Sequence, residues 1–174
     1  MDDERNVENR FFECAINHLK MSAFEFNKEE SEIYCFIYFH RYFIRDFLEK
    51  DFFEHRRGKK IIIISTSGMK SIAVFYLQHV TNVLAIVDAS ESVKGIIEKV
   101  RGIHRNIELY KGYGHNPESL SVHQIKMLAM ILDGKSIQHI AKHLNVPIKT
   151  AYGHSHAIAK KMGVRKVHDL IITR

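Results

Sequence analysis

Apolar positions along the chain follow two different rhythms. Through residue 109, strand and helix patterns alternate. "ENRFFECAINHLK" sets Phe11, Phe12, Ala15, Ile16 and Leu19 at helical spacing. "IYCFIYFH", Ile33 to His40, is β-branched and aromatic and predicts a buried strand. "RYFIRDFLEKDFFEH" returns to helical spacing at Phe43, Phe47, Leu48 and Phe52. "KKIIIIST" is a continuous apolar run, the pattern of a strand covered on both faces in a parallel sheet. "MKSIAVFYLQHV" predicts a helix, "VLAIVDAS" a strand, and "ESVKGIIEKVRGI" a helix opened by Ser90. Such alternation with short connections predicts a small α/β layer structure.

"YKGYGHNPES", Tyr110 to Ser119, combines glycine, proline and small polar residues and predicts a linker. Beyond it the pattern is helical only. "SVHQIKMLAMILDG" places Ile125, Leu128, Met130 or Ala129, and Leu132 on one side and stops at Gly134. "SIQHIAKHLNV" starts at a capping Ser136 and carries Ile137, Ile140, Ala141 and Leu144. "TAYGHSHAIAKKMGV", Thr150 to Val164, follows through Pro147, which suits the first turn of a helix. "KVHDLII" supplies a last helix, so four are expected. The division is therefore 1–109, a linker 110–119, and 120–174.

Charge sharpens this division. Residues 115–174 hold nine Lys/Arg against three acids, so they carry the whole net charge of +6. A small basic module beside a neutral one suits a polyanionic partner. From charge alone, a merely soluble basic surface is an equal alternative. No apolar run approaches the roughly 18 residues of a membrane span. The acidic, polar start "MDDERNVENR" is unlike a signal peptide. Cys14 and Cys35 are expected to be reduced and buried, in a cytoplasmic protein.

Two helices joined by "NVP", the second one basic, form the frame of a helix-turn-helix. From Leu120 to Ile171 the sequence resembles the LuxR-type (GerE, or NarL/FixJ) DNA-binding domain without a gap. Leu120-Ser121, Leu128, Gly134, Ser136, Ile140-Ala141, Leu144, Thr150, His154, Ile158, Lys161, Gly163-Val164 and Asp169-Leu170 carry the resemblance. It departs from the family at His123-Gln124, at Pro147 in place of Ser, and at Ala151 in place of Val. Helical geometry puts Ala151, Ile158 and Met162 on the packing side. Lys149, Tyr152, Gly153, His156 and Lys160 lie on another. The resemblance implies that Tyr152, Gly153 and His156 approach base edges in the major groove. Lys160, Lys161 and Thr150 would contact phosphates, which give affinity without sequence information. It also implies a dimerisation helix with Val167, Leu170 and Ile171 on its apolar side, or alternatively a helix that only caps the core.

The first part resembles a response-regulator receiver domain less closely. "LAIVDASESVKGIIEKVRG" is similar to the last strand and helix of such receivers, and "IIIIST" fits the strand before. The position of the phospho-accepting Asp holds Phe39-His40, and that of the Lys holds Val87. If Asp2-Asp3 stand for the acidic pair, the first strand is missing. The resemblance therefore implies a flavodoxin-like, degenerate receiver that takes no phosphoryl group.

Rival chemistries are weaker. His139 and His143 share a helix face, but a zinc site wants three or four ligands. "STSGMK" lacks the spacing of a phosphate-binding P-loop. No catalytic arrangement is legible, and no cofactor is expected. The rings of Phe43, Phe47, Phe52 and Phe53 suit a core or, if exposed, a partner surface. The expectation is a cytoplasmic, dimeric, sequence-specific transcription regulator that binds double-stranded DNA without contacting a membrane. It would be controlled through protein contacts. The alternative is an auxiliary protein that pairs with, or sequesters, another LuxR-type regulator. Either a homodimer or a heterodimer fits.

Overall fold

The run Ile61 to Ile64 is the centre of the sheet. The computed structural model describes residues 14–24, 32–105 and 118–171. Its three strands are β1 (Tyr34–Phe39), β2 (Lys60–Ser65) and β3 (Val83–Asp88), parallel and in chain order. Register pairs Phe36 with Ile62 and Ile62 with Ala85, so period-two alternation fixes which side chains share a face. Ile62 and Ile64 join Leu19, Phe24, Phe36 and Val100 in one cluster. Helix α1 (residues 14–23) and helix α4 (Val93–Arg105) supply its outer wall. Ile61 and Ile63 face the other way, toward α3 (Lys70–His79) and the aromatic segment after β1.

That aromatic segment is not the continuous helix its spacing predicts. It breaks into a 3-10 turn Arg41–Phe43, a single helical turn α2 (Ile44–Phe47), loops, and a 3-10 turn Glu54–Arg56. The cause is tertiary. Phe47 stacks on Phe39 at 4.1 Å, Phe52 meets Phe47 edge-on, and Phe53 lies 4.5 Å from Tyr76. A straight helix would carry Phe52 and Phe53 away from this cluster. Tyr76 Oη also donates to the Phe47 carbonyl, and Arg56 Nη1 donates to that of Phe52. Burial of the Tyr76 phenol raises its pKa to about 12. The rings thus belong to the core, with Phe47 buried and the other three half-buried.

Other local expectations shift by a turn. Helix α4 is opened by Ser92, whose Oγ accepts from Gly95 N–H at 3.2 Å, and not by Ser90. Ser90 instead donates to Asp88 through both its N–H and its hydroxyl, 2.8 and 2.6 Å. Those bonds, with minor help from Lys70 and Lys99, lower the Asp88 pKa. Cys14 is exposed and Cys35 half-buried, so the expected burial of both thiols does not hold. Phe11, Phe12 and Asp2-Asp3 lie outside the described residues, as does most of the expected linker.

The last third holds α5 (Val122–Leu132), α6 (Ile137–His143) and α7 (Ile148–Lys161). Ser121 and Gln124 form a capping box, so the departure at Gln124 keeps the helix start. The buried stripe of α5 is Gln124, Met127, Leu128, Ile131 and Leu132, shifted from the expected Ile125 side. Ser136 caps α6 by accepting from His139 N–H. The expected fourth helix is one 3-10 turn, Val167–Leu170. Leu120 N–H donates to the Ser71 carbonyl at 3.2 Å, and Lys70 pairs with Glu118 at 3.0 Å. A Cβ on Gly68 would stand 3.6 Å from the Met162 carbonyl. The start of α3 therefore abuts the end of α7, and one apolar cluster runs through both units.

Candidate nucleic-acid interface

Helix α7 is amphipathic in the expected sense. Asn145, at φ 52°, turns the chain between α6 and α7, and Val146 N–H closes the turn on the Ala141 carbonyl. Pro147 is the residue just before the helix, with φ −57°, one position earlier than a first-turn proline. Its carbonyl accepts from Ala151 N–H, so the helix starts well without a side-chain cap. Ala151, Ile158, Ala159 and Met162 are buried against the other helices. Lys149, Thr150, Tyr152, Gly153, His156 and Lys160 are exposed. The side formed by 149, 152, 153, 156 and 160 repeats at three and four, one continuous helical surface. No acidic residue interrupts it anywhere in α7.

A Cβ built on Gly153 meets nothing within 4 Å, so no packing among the described residues demands glycine there. Tyr152 is 54% exposed, a ring held out on the helix. Ile148, 50% exposed, shares its side at one turn's distance. It was not legible as a contact residue, because an isoleucine opening a helix reads as core. Its exposure is the signal. Lys142, Arg165 and Lys166 are further exposed cations on the same unit.

Lys161 behaves differently from its neighbour. Its Nζ donates to the Ser119 carbonyl at 2.6 Å and approaches Gln124 Oε1 at 3.4 Å. It ties α7 to the start of α5, whereas the sequence expectation gives it a phosphate contact. The apolar residues of the terminal turn, expected on a dimerisation helix or as a cap on the core, lie as follows. Val167 and Leu170 are buried inside the helical core and Ile171 is half-buried. Val167 and Leu170 therefore cap the core in this arrangement and do not form an outward apolar side. His139 and His143 are exposed, and among the described residues no group of three metal-ligating side chains forms.

The carboxyl ends of the strands, where α/β sheets bind ligands, carry His40, Ser65-Thr66 and Asp88. His40 Nδ1 accepts from Tyr42 N–H, and Thr66 Oγ1 donates to the Phe39 carbonyl at 3.2 Å. Val87, at the expected lysine position, is buried. The described edge thus offers no aspartate after β1 and no lysine at the end of β3.

The chain thus joins a parallel sheet unit to a helix-turn-helix unit. The family model described as the EcpR N-terminal domain matches residues 7–104, and that described as bacterial regulatory proteins, luxR family, matches residues 118–173. The chain belongs to the EcpR N-terminal domain family and is a LuxR-type regulator, its luxR-family domain lying at the C-terminal end. It is 27% identical over 142 residues to the protein YqeH of Escherichia coli (strain K12), covering 80% of this chain and 65% of that protein. Among solved structures it is similar to RcsB from Salmonella enterica serovar Typhimurium, bound to promoter rprA in the presence of phosphomimetic BeF3-. That likeness has a TM-score of 0.33 and 20% identity, covering 75% of this chain and 62% of that one. The chain therefore spans less than two thirds of the length of either relative.

Proposed function

We propose that the protein binds duplex DNA sequence-specifically as a dimer and regulates transcription, with its sheet unit acting through protein contacts and not through phosphoryl transfer. The observation that carries this reading is the continuous, exposed, acid-free side of α7. On it Tyr152, Gly153 and His156 are the candidates for base edges, and Ile148 adds an apolar surface suited to a thymine methyl. Lys149, Thr150 and Lys160 are the candidates for phosphates. Lys142, Arg165 and Lys166 extend the same basic unit. Ile171 is the one residue of the expected pairing set that keeps an accessible edge. The missing acceptor aspartate and lysine support regulation without a phosphorylated state.

The test is selection of genomic DNA fragments by the pure full chain. A few fragments should be held on the order of a thousandfold more tightly than bulk DNA. If no fragment is preferred and the chain instead captures a second LuxR-type regulator, the auxiliary role replaces this one. A small phosphodonor should leave no acid-labile adduct.

A further inference from the structure

We infer that DNA binding by the open side of α7 is coupled to proton uptake at His156, so that acidification tightens it. The inference rests on the DNA-binding reading above and names its regulation.

Position is the first ground. His156 is exposed in the middle of that side, one turn after Tyr152 and one turn before Lys160. Gly153, three residues earlier, has no side chain to crowd the ring, and nothing lies within 4 Å of where its Cβ would stand. His154 is half-buried and projects to a different side.

Charge is the second. Helix α7 packs against α5, α6 and the terminal turn. From α6 come His139, Lys142 and His143, and from α5 His123 and Lys126. The terminal segment brings Arg165, Lys166, His168 and Asp169, and the Asp169 carboxylate already accepts from Lys166 N–H at 3.0 Å. Asp133 is the C-cap of α5, and Glu118 is paired with Lys70 at 3.0 Å. Neither α6 nor α7 contains an acid. Along its own side His156 has the cations Lys149 and Lys160. Its helix and the one before it thus supply no counter-charge for an imidazolium, whereas the phosphates of a duplex would.

Hydrogen-bonding chemistry is the third. A neutral imidazole has one donor and one acceptor nitrogen, and an imidazolium has two donors on opposite edges of the ring. The surface that α7 would meet is rich in acceptors: guanine N7 and O6, adenine N7 and thymine O4 in the groove, and phosphate oxygens beside it. A charged ring can donate to a base edge with one nitrogen and to a phosphate with the other. A neutral ring turns one lone pair toward an acceptor. Binding therefore favours the charged ring, and the bound state holds more protons than the free one. By linkage, affinity rises as pH falls. The window is the one in which imidazole gains its charge, between about pH 5 and 8.

The test measures affinity of the full chain for its preferred genomic fragment at about pH 8 and about pH 6, at fixed ionic strength. Acidification should tighten binding about tenfold, the scale of one proton taken up. His156→Gln keeps a donor and an acceptor but cannot titrate, so the change should shrink to about twofold or less. His139→Gln and His143→Gln together should keep most of it. Calorimetry in two buffers of different ionisation enthalpy should show the parent taking up a proton on binding and His156→Gln taking up none. Because His156 is exposed, thermal unfolding of His156→Gln should match the parent at both pH values. Affinity indifferent to pH overturns the inference, as does tightening that survives His156→Gln or vanishes with the α6 pair. A chain that selects no fragment at either pH sinks the proposed function and this inference with it. Selection with pH-independent affinity sinks this inference alone.

Discussion

The two units use their helices in opposite ways. In the sheet unit, α3 and α4 press their apolar sides onto strands that are themselves apolar on both faces. In the helical unit, α7 buries one narrow side and leaves the opposite one open from Lys149 to Lys160. The first unit holds its informative residues inside, where their meaning is packing. The second displays them, where their meaning is contact. The comparison teaches where chemistry can be read from spacing alone. A rigid exposed helix keeps a local code, whereas a buried or inter-element role depends on what comes to meet the residue.

The strongest way to break this contrast is to damage the sheet alone. Ile62 is fully buried in the cluster that belongs only to the sheet unit. Ile62→Ala should cost about 2–5 kcal/mol by thermal or denaturant unfolding. DNA affinity of the folded fraction should be unchanged. Loss of DNA binding without unfolding would mean that the cluster shared by both units governs α7.

Adjacent lysines sharpen it next. Lys161→Ala should destabilise the chain by about 1.5–3 kcal/mol, since it removes charge-assisted bonds that join α7 to the start of α5. Lys160→Ala should leave unfolding within about 0.5 kcal/mol of the parent, as exposed substitutions do. It should instead weaken binding to every DNA sequence by a similar factor. Equal effects of the two on stability would erase the distinction drawn between them.

Gly153→Ala asks whether the open side of α7 is shaped for a partner. It should stabilise the free protein by up to about 1 kcal/mol, the helix-propensity gain, because the new methyl meets nothing. DNA affinity should fall if the backbone comes close to bases. A rise in affinity would leave the glycine without that explanation.

The smallest effect belongs to the sheet edge. The depressed Asp88 pKa makes a stabilising contribution that is complete above its ordinary 3.8 and is lost as pH falls through the lower folded value. Ser90→Ala removes the hydroxyl bond, the largest cause, and should move the Asp88 titration back toward 3.8 in an NMR pH series. The group is exposed, so the change in stability should stay within a few tenths of a kcal/mol.

What was legible follows the same division. Ile61 to Ile64 announces a doubly covered strand, and the three strands fall where β-branched runs place them. The exposed residues of α7 follow from helical spacing and the LuxR-type resemblance. The segment after β1 misleads because Phe47, Phe52 and Phe53 answer to Phe39 and Tyr76, which lie outside any local window. Ser92 rather than Ser90 opens α4 because Asp88 captures Ser90 first. Lys161 sits beside Lys160 in sequence, but its partners Ser119 and Gln124 are 42 and 37 residues away. Val167 and Leu170 have the spacing of an outward stripe, and only the tertiary core shows that they turn inward.

The tether made by Lys161 has a consequence for counterions. Each lysine that neutralises a DNA phosphate releases condensed ions and steepens the dependence of log affinity on log salt by about 0.9. A tally of basic residues along α7 would count Lys161 among them. With its ammonium held at the Ser119 carbonyl, each helix laid on DNA should release one ion fewer than its sequence promises. The salt response of the chain should be shallower by that amount.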